Sequence, residues 1–199
     1  MAIRYSFVLI PDPSFLRLLH TSRQILCNQF GCWTSEMFMI HVPLINFFKL
    51  DFDHIGDRKQ IIENMIESYR STKLTLIPSQ ITQTIEDSTD LHIECSTLGE
   101  SESLVNIKSN LIKIFELRGF DGDILKIPLL ENFHSSPTVW EEALTMAKDL
   151  FYNFGLDTPF DVRSLDLVKY ESRSSSEKWE REKWSRDISW DILESFKLR

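Results

Sequence analysis

Hydrophobic and polar positions follow one order twice along this chain. Residues 4–10 (RYSFVLI) are an apolar run that predicts a strand. Asp12-Pro13 behind it offers an N-cap and a first-turn proline for a helix through Leu16, Leu19, Ile25 and Leu26, which Gly31 ends. Residues 37–49 (MFMIHVPLINFFK) form a β-rich apolar run, residues 57–71 carry Ile61, Ile62, Met65, Ile66 and Tyr69 at helical spacing, and residues 74–86 predict a strand. The order then restarts. Leu91, Ile93 and Cys95 alternate as a strand, and Ser101 opens a helix through Leu104, Ile107, Leu111 and Ile114 that stops at Gly119. Residues 124–131 (ILKIPLLE) predict a strand. Ser136-Pro137 starts a helix through Trp140, Leu144, Ala147 and Phe151, ended by Gly155, and residues 160–170 predict another strand. Each half thus reads strand, helix, strand, helix, strand. A final alternating strand at 188–198 follows a Ser-rich, charged hairpin loop at 172–187, whose Trp179 and Trp184 are expected to fold back on the sheet rather than meet a partner.

Composition narrows the class. A chain of 199 residues with 42% hydrophobic positions can bury one sizeable core, which predicts a single domain over 1–199 with intimate lobes at about 1–88 and 89–199. No apolar run approaches the roughly 20 residues of a membrane span, and no signal-peptide pattern opens the chain. A membrane protein is therefore not expected, and a cytoplasmic location is. Cys27, Cys32 and Cys95 are an odd set without CxxC spacing, which predicts reduced core thiols. A net charge of -8 argues against broad nucleic-acid binding. Residues 1–50 nevertheless hold four bases against two acids, which leaves room for a local anion site.

Laying the halves over each other pairs His41-Val42-Pro43-Leu44-Ile45-Asn46 with Lys126-Ile127-Pro128-Leu129-Leu130-Glu131, a symmetric pair of basic side chains on equivalent strands. With these motifs and this element order, nearly the whole chain resembles the two-histidine (2H) phosphoesterases, the superfamily of 2′-5′ RNA ligase-like proteins and cyclic nucleotide phosphodiesterases. The resemblance implies an α+β, two-lobed pseudo-symmetric fold with antiparallel sheets flanked by helices and a central cleft. It also implies a nucleotide or RNA-end phosphate as ligand, with a 2′,3′-cyclic or 2′-5′ linkage. In that family each half bears His-x-Thr or His-x-Ser. One histidine is general base, the other general acid, and the hydroxyls hold phosphoryl oxygens.

Carried over by position, His41 and Lys126 take the two proton-transfer places, and Pro43 and Pro128 take the hydroxyl places. Proline has no hydroxyl and no N–H, so both donors are lost. Lysine titrates near 10.4 against about 6.5 for histidine, so a lysine here clamps phosphate as a cation instead of acting as a base. Arg4 and the residues near Asn46 and Glu131 are expected neighbours at the cleft rim. The resulting expectation is a phosphate-binding 2H protein with weak, altered or lost phosphodiesterase activity. The alternative is a non-catalytic scaffold that keeps the 2H fold and binds a protein partner. His134-Ser135-Ser136 offers a substitute histidine for Lys126, although Ser136 is committed to capping a helix.

The other histidines, His20, His54 and His92, lack partners at ligand spacing and read as surface or structural groups. Residues 51–56 begin like a calcium loop, but Ile55 and Ile62 fall where ligands belong. Phosphate-loop, GxSxG and HExxH motifs are absent, so neither metal nor cofactor is expected.

Overall fold

The computed structural model describes residues 2–50, 55–69, 73–86, 88–98, 101–119, 125–131, 133, 135–173 and 187–198. Along them run β1 (Ala2–Pro11), α1 (Pro13–Phe30), α2 (Trp33–Glu36), β2 (Val42–Phe48), α3 (Ile55–Glu67), β3 (Thr75–Glu86), β4 (Ser88–Leu98), α4 (Ser101–Phe115), β5 (Leu125–Leu130), α5 (Pro137–Asn153), β6 (Phe160–Ser172) and β7 (Ser189–Lys197). His134, and Trp179 and Trp184 in the 172–187 loop, lie outside the described residues.

Local chemistry places both ends of α1 and the start of α5 where the sequence predicts them, whereas α3 ends at Glu67 and α4 at Phe115, short of the expected 71 and Gly119. Asp12 Oδ1 accepts from the N–H groups of Ser14 at 2.9 Å and Phe15 at 3.2 Å, ahead of Pro13. Gly31 ends α1 at φ 71°, its N–H donating to the Cys27 carbonyl. Ser136 caps α5 through Val139 N–H at 3.4 Å. The helices bury Phe15, Leu19 and Leu26 on α1, Leu104, Ile107, Leu111 and Phe115 on α4, and Ala143, Ala147 and Phe151 on α5, while Leu16, Ile25, Ile114, Trp140 and Leu144 of the expected stripes are half-buried beside them. On α3 the buried positions are Ile62 and Ile66, while Ile61, read as part of the stripe, is 52% exposed. Cys27, Cys32 and Cys95 are buried free thiols.

The apolar run at 37–49 divides. Only Val42–Phe48 is strand, and residues 37–41 form a cover over one face of the sheet. There Phe38 buries against Val8, Val168, Tyr170 and Ile188. Burial satisfies an apolar run equally well as a strand or as a covering segment, and periodicity does not separate the two.

All strand pairings are antiparallel, and the path is β2-β1-β6-β3-β4-β5, with β7 also on β6. That order is palindromic with respect to the sequence repeat. β1–α1–β2 corresponds to β4–α4–β5, and each motif strand is an outer strand of the path. The third strands change places: β6 from the second half completes the sheet of β1 and β2, and β3 from the first half completes that of β4 and β5. The sequence division near residue 88 therefore falls inside a sheet, between the paired strands β3 and β4. The two sheets meet in a narrow seam at Thr75↔Asp161 and Leu76↔Phe160. A bond from Thr75 Oγ1 to Asp161 Oδ1 (2.9 Å) and a salt bridge from Lys73 to Asp161 (3.0 Å) reinforce it. The sheet curls about this seam until β2 and β5, ends of the path, come into contact.

Candidate functional site

Proline is tolerated on an outer strand, where a missing N–H breaks no ladder bond. Both motif prolines use this freedom, and they do so symmetrically: Pro43 sits opposite Val8 of β1, and Pro128 opposite His92 of β4. Between β2 and β5 opens a cleft of about 740 Å³. Pro43, Leu44 and Asn46 line it from β2, Lys126 and Pro128 from β5, His92 and Glu94 from β4, Lys108 from α4, and Glu131 just past β5.

Asn46 reaches the cleft through a bulge. The β1–β2 register shifts on either side of Phe7, and Phe47 adopts φ 51°. The Ser6 hydroxyl holds this bulge by accepting from Phe47 N–H at 3.0 Å and donating to Asn46 Oδ1 at 2.8 Å. Lys126 faces Glu94 across the ladder, and no ion pair to a described residue holds its Nζ. His92 lies beside them, its imidazole held below the ordinary range by burial, with Asp90 and Glu94 opposing and Lys126 adding to the shift.

His41 does not share this exposure. It immediately precedes β2, is 4% exposed and does not line the cleft. Its Nδ1 lies 2.7 Å from the Met39 carbonyl oxygen, an arrangement that puts the imidazole proton on Nδ1. The ring packs against Tyr170 with centroids 6.5 Å apart. Burial pushes its pKa down to about 4, partly opposed by the Met39 carbonyl and helped by the Arg23 cation. At neutral pH it is an enclosed, neutral imidazole.

The cover over His41 is pinned by Arg23, a buried guanidinium on α1. Its Nη1 donates to the carbonyls of Ser35 (3.1 Å) and Phe38 (2.8 Å), and its Nη2 donates to Pro128 O on β5. A second tie runs from Trp190 Nε1 to Met37 O at 3.0 Å. Arg23 thus joins the segment covering one motif strand to the backbone of the other. Burial lowers its pKa, and the Glu131 carboxyl resists that shift.

Of the residues singled out from sequence, Lys126, Pro43, Pro128, Asn46 and Glu131 meet in the cleft, and His41 lies outside its lining. Arg4 is buried, its Nη1 bonded to Ile3 O at 2.9 Å, and it does not line the cleft either. Two further groups belong to this arrangement. His92, read from the sequence as a surface or structural histidine, sits on the face of β4 opposite to Leu91, Ile93 and Cys95 and lines the cleft. Arg23 carried no signal in the sequence, because its partners are carbonyls distant in sequence.

No family model matches this sequence, nor does any curated protein. Solved structures match its fold at low identity. The crystal structure of E. coli LigT complexed with 3′-AMP is 11% identical, with 99% of this chain and 98% of that one covered and a TM-score of 0.50. TT0787 of Thermus thermophilus is 13% identical, with 100% and 98% covered and a TM-score of 0.52. ATU0111 of Agrobacterium tumefaciens, a conserved protein of unknown function, is 9% identical, with 84% and 79% covered and a TM-score of 0.52. Whole-length likeness at such identity is a likeness of architecture, and it agrees with the palindromic sheet and the cleft between its end strands: the chain has the α+β fold of the 2H phosphoesterases.

Proposed function

We propose that this chain binds the phosphate of a nucleotide or RNA end, 2′,3′-cyclic or 2′-5′ linked, in the cleft between β2 and β5, with Lys126 as the cation that clamps it. The observation that carries this reading is the placement of Lys126 beside Pro43 and Pro128, with Lys108 and His92 lining the same cleft. The bound 3′-AMP in the fold neighbour LigT gives the ligand class. An enclosed His41 leaves the β2 side without an accessible imidazole, so phosphodiester turnover is expected to be slow or absent. The reading is one of binding first and catalysis second.

Calorimetric titration with 2′,3′-cyclic AMP and with a 2′-5′ linked dinucleotide tests it, on wild type and Lys126→Ala. Removing a charge-assisted contact is expected to weaken binding by about 1.5–3 kcal/mol, roughly 10- to 150-fold. Equal affinity in the two proteins would take the phosphate away from Lys126, and no binding in wild type would leave the protein-interaction scaffold as the better account. Turnover that survives in wild type but vanishes in His41→Ala would restore His41 as a proton-transfer group.

A further inference from the structure

Glu131 follows the β5 motif by three residues from Pro128, and it lines the same cleft as Lys126. Its backbone is clamped to the segment after α1. The Glu131 N–H donates to Ser35 Oγ at 2.8 Å, and its carbonyl accepts from Ser35 Oγ at 3.2 Å and Thr34 Oγ1 at 3.4 Å. The main chain at Glu131 is thus fixed at the cleft wall. One of its oxygens, Oε2, is enclosed by protein and has no hydrogen-bond partner among the described residues. An enclosed carboxylate oxygen without a donor is unfavourable as an anion, and protonation of the carboxyl relieves the conflict.

The neighbourhood brings the acid form into the neutral range. Burial pushes the Glu131 pKa up to about 7, the Arg23 cation from α1 opposes this, and Asp90 from β4 adds to it. Tyr170 from β6 also interacts with Glu131 and is pushed up by its own burial, so it carries no charge there. His41 lies near Arg23, neutral, and Lys126 and His92 line the cleft itself. The family's two hydroxyl places hold Pro43 and Pro128, which donate nothing.

We propose that Glu131, as a neutral carboxylic acid, donates a hydrogen bond to a phosphoryl oxygen of the ligand clamped by Lys126, filling the donor role that the two prolines leave empty. The inference rests on the phosphate-binding reading above. Binding then requires the protonated carboxyl, so the ionised fraction takes up one proton from solvent as ligand enters. A phosphodiester is the right probe. A monoester loses its second proton near pH 6 and brings its own titration, whereas a diester keeps one charge through the neutral range.

The experiment is titration of 2′,3′-cyclic AMP by calorimetry between pH 6 and 8.5, with wild type and Glu131→Gln. Wild-type affinity is expected to fall about tenfold from pH 6 to 8, as the protonated fraction of a group titrating near 7 does. Glu131→Gln keeps the shape and an N–H donor but cannot titrate, so its affinity is expected to stay level over that range, near the wild-type value at pH 6. A wild-type affinity that does not change with pH, or the same slope in Glu131→Gln, overturns the inference alone. No wild-type binding at any pH overturns the phosphate reading and the inference with it. If the variant does not fold, the ¹³C signal of the Glu131 carboxyl in wild type decides: it is expected to move toward its protonated position when ligand is added at pH 8, and a fixed signal overturns the proposal.

Discussion

The motif strands β2 and β5 hold matching places in a palindromic sheet, each an end strand of the path and each with its proline opposite a residue of the neighbouring strand. Their basic residues nevertheless meet opposite fates. Lys126 lies within β5 and faces the cleft, whereas His41 stands just before β2, under the segment that buries Phe38 and presents the Met39 carbonyl to the imidazole. Strand pairing explains the likeness. The difference comes from the connection ahead of each strand, because α2 and the cover after it exist only on the β2 side among the described residues. Sequence equivalence in a repeat therefore sets the position of a side chain and leaves its solvent contact to whatever packs above it.

The strongest way to break this contrast is to release the cover. Arg23→Met removes three donor contacts to carbonyls of Ser35, Phe38 and Pro128. Loss of a buried cation so engaged is expected to lower stability by about 3–5 kcal/mol, read as a drop in the urea midpoint. The His41 imidazole signal should then move toward ordinary titration. A loss below about 1 kcal/mol would mean that the cover holds without Arg23.

Acid sensitivity sharpens the contrast next. His41 titrates near 4 in the folded protein and near 6.5 when unfolded, so the native state binds fewer protons across that window. Its contribution to stability is present above pH 6.5 and is lost as pH falls to 4, by about 3 kcal/mol. His41→Gln should remove that loss. Glu131 has the opposite sign: raised from 4.5 to about 7, it contributes stability that is fully present below 4.5 and is lost as pH rises from there through about 7. In the His41→Gln protein, unfolding midpoints should therefore rise from pH 7 to pH 5. A wild type and a variant with the same pH profile would contradict the enclosure of His41.

The smallest effect tests whether the prolines mark the phosphate. Pro43→Thr restores a hydroxyl on a half-buried position of the cleft wall without disturbing an inner strand. A gain of about 0.5–1.5 kcal/mol in 2′,3′-cyclic AMP affinity, roughly two- to tenfold, is the expected outcome. Unchanged affinity would place the phosphoryl group away from β2.

Much of the fold was legible because its signals are local. Asp12-Pro13, Ser136-Pro137 and Gly31 act over one or two turns and mark α1 and α5 within a residue or two, whereas α4 opens at Ser101 as predicted but stops at Phe115, short of Gly119. The run at 37–49 misled because apolar content asks for burial and does not say in which conformation. The site was legible in part for the same reason: the β5 motif lies within its strand, and alternation sends Lys126 and Pro128 to one face. Glu131 was visible as a rim residue, but its raised pKa comes first from burial, with Arg23 opposing and Asp90 adding, and no spacing connects it to these groups.

The amino-acid sequence by itself determined the order of the longer elements, the caps of α1 and the start of α5, the repeated strand–helix–strand unit and a proline at the third place of each motif, all properties of neighbouring residues. Tertiary structure alone decided that β3 and β6 exchange between the halves, that β2 and β5 close on one cleft, and that His41 is covered while Lys126, His92 and Glu131 line that cleft. Those outcomes depend on which surfaces the curled sheet brings together and on the desolvation that follows, and desolvation belongs to the packed assembly rather than to any residue in it.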